Sequence, residues 1–198
     1  MTSNLAKNVV FGMILAAFSG AMARAVVAAA APETAAVTAN AATIARGAYL
    51  VTAMGCHDCH TPLKMGAHGP EPDMSRALTG HPADMPMPPA PALPPGPWAW
   101  SGAATSTAFA GPWGVSFTAN LTPDPETGLG KWTEEMFVRA MRTGRHEGKG
   151  RPILPPMPFQ NVGQLNDEDI SAVFAYLQSL PPVVNRVPQP VDPSDGQP

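Results

Sequence analysis

The chain has 198 residues with 44% apolar side chains, enough to bury one core, and its net charge of -3 without a basic cluster excludes nucleic acid as a partner. Its 25 prolines and 18 glycines are too many for a continuously regular chain. The 2 cysteines, Cys56 and Cys59, cannot form a disulfide framework and have to be explained as one unit.

Residues 1–30 have the layout of an export signal: Lys7, a mostly apolar run over 9–23, then small residues that offer Ala21-Met22-Ala23 and Ala28-Ala29-Ala30 as cleavage points. The run falls short of the roughly 20 residues of a membrane span and Arg24 interrupts it, so removal is favoured over retention as an anchor. Neither cysteine lies near this segment, which rules out acylation there. A periplasmic protein is expected, touching a membrane only through a partner or an uncleaved N-terminal segment. Residues 31–39 read as an Ala/Thr linker and 40–184 as one domain.

The spacing predicts a first helix over 40–54, with Ile44, Ala48 and Val51 on one face and Tyr49 and Leu50 beside them. Asn40 suits its N-cap and Gly55 its end. Gly47 lies inside it, where glycine costs about 1 kcal/mol relative to alanine, so another helix is expected to cross close to the backbone there.

Cys56-His57-Asp58-Cys59-His60 follows at once. Two residues between the cysteines let both sulfurs reach one edge of a macrocycle as thioethers, and the adjacent His60 supplies an imidazole to the iron; this is the attachment pattern of haem c. A redox dithiol would need a βαβ setting that the chain lacks. Zinc could draw on His57 or His68, but no second Cys or His pair follows at zinc spacing. A bare disulfide would leave His60 unexplained.

Residues 63–130 read as a largely irregular loop wrapping the haem, with a Pro-rich stretch at 81–97 that excludes helix and central strand over most of its length. Trp98, Trp100, Phe109, Trp113 and Phe117 follow among small residues, a composition expected to cover a hydrophobic surface. A second helix is predicted from the cap Thr133 to Gly144, with Trp132 and Phe137 placed as a hydrophobic staple. A third is predicted over 167–179, with Ile170, Val173, Phe174 and Leu177 at i, i+3, i+4 and i+7 and Pro181-Pro182 ending it. Residues 185–198 read as a disordered tail.

The iron's other face decides between electron transfer and reactivity, since methionine closes the site and raises the potential. Of 11 methionines, those outside the signal, the attachment site and the helices are Met65, Met74, Met85, Met87 and Met157. Met157 is favoured because prolines on both sides, at 155, 156 and 158, make a stiff strap that presents one thioether. His81 and His146 are rival ligands. His81, Met85 and Met87 could alternatively hold copper(I), although incidental methionines in a Pro-rich loop are the simpler reading. Asn120, Trp132, Arg142 and Arg145 are candidates for packing on the haem or pairing with its propionates.

Residues 40–184 resemble the class I c-type cytochromes, in particular the cytochrome subunits and partner cytochromes of bacterial dehydrogenases. The likeness is carried by Arg46-Gly47-Ala48-Tyr49-Leu50, TANLTPDPETGLGKWTEEMFVRAMRTG at 118–144, ILPPMPF at 153–159 and LNDEDISAVFAYLQSLPPV at 165–183. It implies an all-α fold of three main helices around one covalently attached haem, with a long Pro/Gly-rich loop insertion. The first and last helices would cross with Gly47 against Phe174 or Tyr176, and His60 and Met157 would be the axial ligands. Two departures stand out: such subunits often carry three haem motifs where this chain has one, and the 81–116 loop is longer and richer in proline. The function expected is single-electron transfer from a periplasmic or membrane-bound dehydrogenase to a downstream cytochrome or terminal oxidase, by a protein that is not itself an enzyme. The alternatives are a haem enzyme or gas sensor with a displaceable sixth ligand, and an interaction protein whose cysteine pair is structural.

Overall fold

The computed structural model describes residues 41–93 and 95–193; the expected signal, the linker and Asn40 lie outside them. Five α-helices are described, α1 (Ala41–Ala53), α2 (Cys56–His60), α3 (Glu134–Thr143), α4 (Phe159–Val162) and α5 (Asp167–Ser179), with short 3-10 turns at Met74–Arg76 and His146–Gly148.

Helices α1 and α5 cross at Gly47. A Cβ there would stand 2.0 Å from the Ala172 carbonyl oxygen and 2.7 Å from Tyr176 Cβ, so only glycine lets the two backbones approach this closely. The buried side of α1 is Gly47, Leu50 and Val51, rotated from the expected Ile44–Ala48–Val51 face, and Tyr49 points outward beneath the Arg46 guanidinium. The four apolar positions expected on α5 are all buried. They meet Phe137 and Met141 of α3 in one core that also takes in Leu78 and Leu129.

The helix ends follow their local chemistry. Thr133 accepts a hydrogen bond from the Met136 amide at the start of α3, and Gly144 closes that helix at φ 66° with its amide donating to Ala140. Asn166 caps α5 by accepting from the Asp169 amide at 2.7 Å. Arg142 ties the end of α3 to α5 by pairing with Asp167 at 2.8 Å and donating to the Gly163 carbonyl.

The all-α expectation is corrected here, because the stretch between α2 and α3 contains two antiparallel sheets. A hairpin pairs β1 (Leu63–Gly66) with β2 (Gly69–Pro72), and a three-stranded sheet orders β3 (Ser101–Gly102), β4 (Ala108–Gly111) and β5 (Gly114–Phe117) as β3-β4-β5. The strands are only two to four residues long, too short for alternation to stand out in the sequence, and β4 is buried along its whole length. Turn closure makes them: Pro112 and Trp113 reverse the chain between β4 and β5, and Phe109 stands opposite Ser116. Among the described residues no helix or strand falls between Arg76 and Ser101, the Pro-rich stretch. Its flanking aromatics divide, with Phe109 buried and Trp98 76% exposed.

The described part of the C-terminal segment, which the composition assigns to a disordered tail, is fastened to the stretch between α2 and α3. Asn185 donates to the carbonyls of Thr79 and His81 at 2.7 and 2.9 Å and accepts from the Ala83 amide at 2.9 Å. Farther on, Val191 exchanges two backbone hydrogen bonds with Val115 of β5.

Candidate haem site

Cys56, Cys59 and His60 lie on α2, a helix of five residues in which the positions of the two cysteines and the histidine are fixed by one backbone turn. Both thiols are free and partly buried, and no disulfide joins them. Burial pushes the Cys56 thiol up to about 11 and raises Cys59 as well, the reverse of the lowered pKa that activates a redox dithiol. No group of three or more His, Cys, Asp or Glu side chains converges on a metal-sized position among the described residues. The zinc reading therefore has no ligand set.

His60 is buried and its Nδ1 is 2.8 Å from the Ala119 carbonyl, which accepts its proton. That bond selects the tautomer with a bare Nε2, and Nε2 has no hydrogen-bond partner among the described residues. Burial also lowers the His60 pKa, outweighing the opposing pull of the Ala119 bond, so the ring is held neutral, the form that ligates iron. The surroundings of α2 are tied down in the same way. The Gly80 amide donates to the His60 carbonyl at 2.8 Å, and Thr61 Oγ1 lies 2.9 Å from His57 Nδ1 while accepting from the Leu78 amide at 3.0 Å.

The five methionines left open by the sequence separate by environment. Met65 and Met74 are 77% and 62% exposed, and Met85 and Met87 are exposed as well. Met157 is partly buried and packs against the core cluster that Cys56 also touches. Its strap is fixed by the Ile153 amide donating to Gly144 at 2.8 Å and by Ser116 Oγ donating to the Pro155 carbonyl at 2.6 Å.

The rival ligands have other partners. His81 is fully buried with Nδ1 2.9 Å from Thr107 Oγ1, Nε2 3.1 Å from the Met85 carbonyl and its ring against Phe117, so neither nitrogen is free for iron or copper. His146 packs edge-on against Trp132, their centroids 5.0 Å apart. Asn120 is spent on structure, donating to the Val183 carbonyl at 2.8 Å and accepting from the Thr122 amide and hydroxyl. Arg142 is the α3–α5 tie already described, and Arg145 donates to the Gly150 carbonyl. Ala119 and Ser116, which hold His60 and the Met157 strap, carry no sequence signal of their own; a backbone carbonyl and a serine in a Gly/Ala-rich run are invisible until the sheet is formed.

Two protonated thiols and a bare imidazole nitrogen on one turn fit a covalently attached haem c, and a partly buried thioether on the apolar core that Cys56 shares suits its iron. The sequence also matches the cytochrome c family over residues 44–181. It is 43% identical over 77 residues to one of the subunits of the nicotinate dehydrogenase of Pseudomonas putida, covering 39% of this chain and 6% of that protein. Against the cytochrome c subunit of the quinone alcohol dehydrogenase of Gluconobacter oxydans it is 38% identical over 80 residues, 39% of this chain and 16% of that protein. Against the fructose dehydrogenase cytochrome subunit of Gluconobacter japonicus it is 27% identical over 142 residues, 72% of this chain and 22% of that protein. The chain thus spans less than a quarter of the length of each of these relatives. With the family matched over most of its length, the chain belongs to the cytochrome c family, whose cofactor is covalently bound haem c.

Proposed function

We propose that the chain is a monohaem c-type cytochrome that carries single electrons in the periplasm, from a dehydrogenase to a downstream cytochrome or terminal oxidase. Cys56 and Cys59 hold the haem, and His60 and Met157 hold its iron. The observation that carries this reading is the pairing of Cys56-His57-Asp58-Cys59-His60 with an imidazole whose Nδ1 is fixed by Ala119 and whose Nε2 is bare. Bound in this way, the haem supplies a one-electron iron couple.

The chain's own residues make that couple suited to transfer rather than to substrate chemistry. The Ala119 carbonyl keeps His60 in one tautomer and one orientation, and burial keeps it neutral. Leu50, Leu78, Phe137, Met141 and Phe174 keep water from the interior beside Cys56 and Met157. The soft thioether of Met157, on a proline-stiffened strap, would be the second protein ligand to the iron and would favour its reduced state. The names of the relatives, subunits of dehydrogenases for nicotinate, alcohol and fructose, support a dehydrogenase as the electron donor. The single attachment motif supports one haem per chain, and the layout of residues 1–30 supports export and the extent 40–184 for the domain. No helix among the described residues is long and apolar enough to cross a membrane.

An alkaline pyridine haemochrome assay on purified protein tests this reading. It should return one haem c per chain, and the Cys56→Ala/Cys59→Ala double variant should lose all covalently held haem on a denaturing gel. Avid carbon monoxide binding by the untreated reduced protein would overturn the carrier reading in favour of an open-site enzyme or sensor.

A further inference from the structure

The three-stranded sheet stands apart from the helices, yet its last strand and the residues just after it reach both His60 and the strap that carries Met157. Ser116 lies on β5, only 7% exposed, in fixed register with Phe109 of β4. Its Oγ donates to the Pro155 carbonyl at 2.6 Å, two residues ahead of Met157. Three residues after Ser116, the Ala119 carbonyl accepts from His60 Nδ1 at 2.8 Å. One short segment therefore grips the imidazole of one ligand and the strap of the other.

The strap has few other ties. Pro155, Pro156 and Pro158 have no amide proton to give. Within the strap the Met157 amide reaches only back to Leu154, at 3.3 Å. Beside the packing of Ile153, Met157 and Phe159 on the core, its hydrogen-bonded ties to the rest of the molecule are the Ile153 amide at one end and the Ser116 hydroxyl in the middle. β5 is itself braced on two sides, by its ladder to β4 and by Val191 pairing with Val115. A hydroxyl mounted on such a strand is a fixed point, and the strap is positioned against it.

Resting on the reading of Met157 as the sixth ligand, we infer that Ser116 is a positioning residue for that ligand, and that the sheet acts as a clamp setting the span between the two axial groups. Cutting the Ser116–Pro155 bond leaves the core and the His60 bond in place but lets the strap swing out, so an added ligand competes better for the iron. The loss of one neutral buried hydrogen bond corresponds to about a fivefold change in that competition.

The experiment is an imidazole titration of the oxidised, haem-loaded full chain, followed through loss of the near-infrared thioether-to-iron charge-transfer band. Ser116→Ala is expected to bind imidazole about fivefold more tightly than the wild type. Ser116→Thr and Ser116→Val, alike in shape and suited to a strand, isolate the hydroxyl and serve equally if the alanine variant does not accumulate. The threonine variant should stay within about twofold of the wild type and the valine variant should follow alanine. Wild-type affinity in both the alanine and valine variants overturns the inference while leaving Met157 as ligand. A band that survives in Met157→Ala, or is missing from the wild type, overturns the ligand reading and the inference with it.

Discussion

The helical frame and the sheet-bearing stretch between α2 and α3 meet at the same site but are held by different forces. In the frame, α1, α3 and α5 bury apolar stripes against each other, and the close crossing at Gly47 sets their distance. Between α2 and α3 much of the holding is done by hydrogen bonds across long stretches of chain, from Thr61 to Leu78, from His81 to Thr107 and from Asn185 to Thr79, His81 and Ala83. Area burial tolerates small shifts because it is not directional, whereas a hydrogen bond fails within a fraction of an ångström. The frame supplies most of the core, to which the intervening stretch adds Leu78 and Leu129, and the hydrogen bonds of that stretch fix the orientation of groups such as His60.

The comparison can be broken most severely at the crossing. Gly47→Ala should cost about 3 kcal/mol in denaturant unfolding, because the added methyl meets the backbone carbonyl of Ala172 rather than a side chain that could turn aside. Asn185→Ala probes the other region. It deprives two carbonyls and one amide of their partner and should cost about 2 kcal/mol, with hydrogen exchange rising at Ala83, whose amide Asn185 accepts, while α1 and α5 keep their protection.

The smallest effect is electrostatic. Asp169 receives two hydrogen bonds from the Arg46 guanidinium, which holds its carboxyl below the ordinary value of 3.8. Its contribution is therefore complete above that value and is lost as pH falls through the lower native pKa. The acid limb of the unfolding curve should be shallower in Asp169→Asn, and the difference should shrink at high salt because the pair sits at the surface.

The two regions also differ in how far they could be read from residues alone. Helix α5 is legible because Ile170, Val173, Phe174 and Leu177 repeat at the helical period behind an Asn166 cap and an acidic first turn. The rotation of α1 is not legible because its tightest contact is made by Gly47, which hydrophobic periodicity does not count. The sheets are not legible because their strands are so short and Ala108–Gly111, buried along its whole length, shows no alternation. Of the residues proposed to hold the haem, the cysteines and His60 announce themselves by spacing, and Met157 by its proline neighbours. The groups that orient them do not, since Ala119 acts through its backbone and Ser116 through a contact 39 residues away.

That last separation gives the site an order of assembly. The two cysteines and His60 share one helical turn and come together as soon as that turn is made. The carbonyl that aims His60 arrives 59 residues later, and the Ser116–Pro155 bond closes a further loop of 39. Contacts that close short loops form ahead of those that close long ones. In a chain threaded from its N-terminus, the thiols are therefore ready for the haem before the carbonyl that aims His60 and the strap that bears Met157 have arrived.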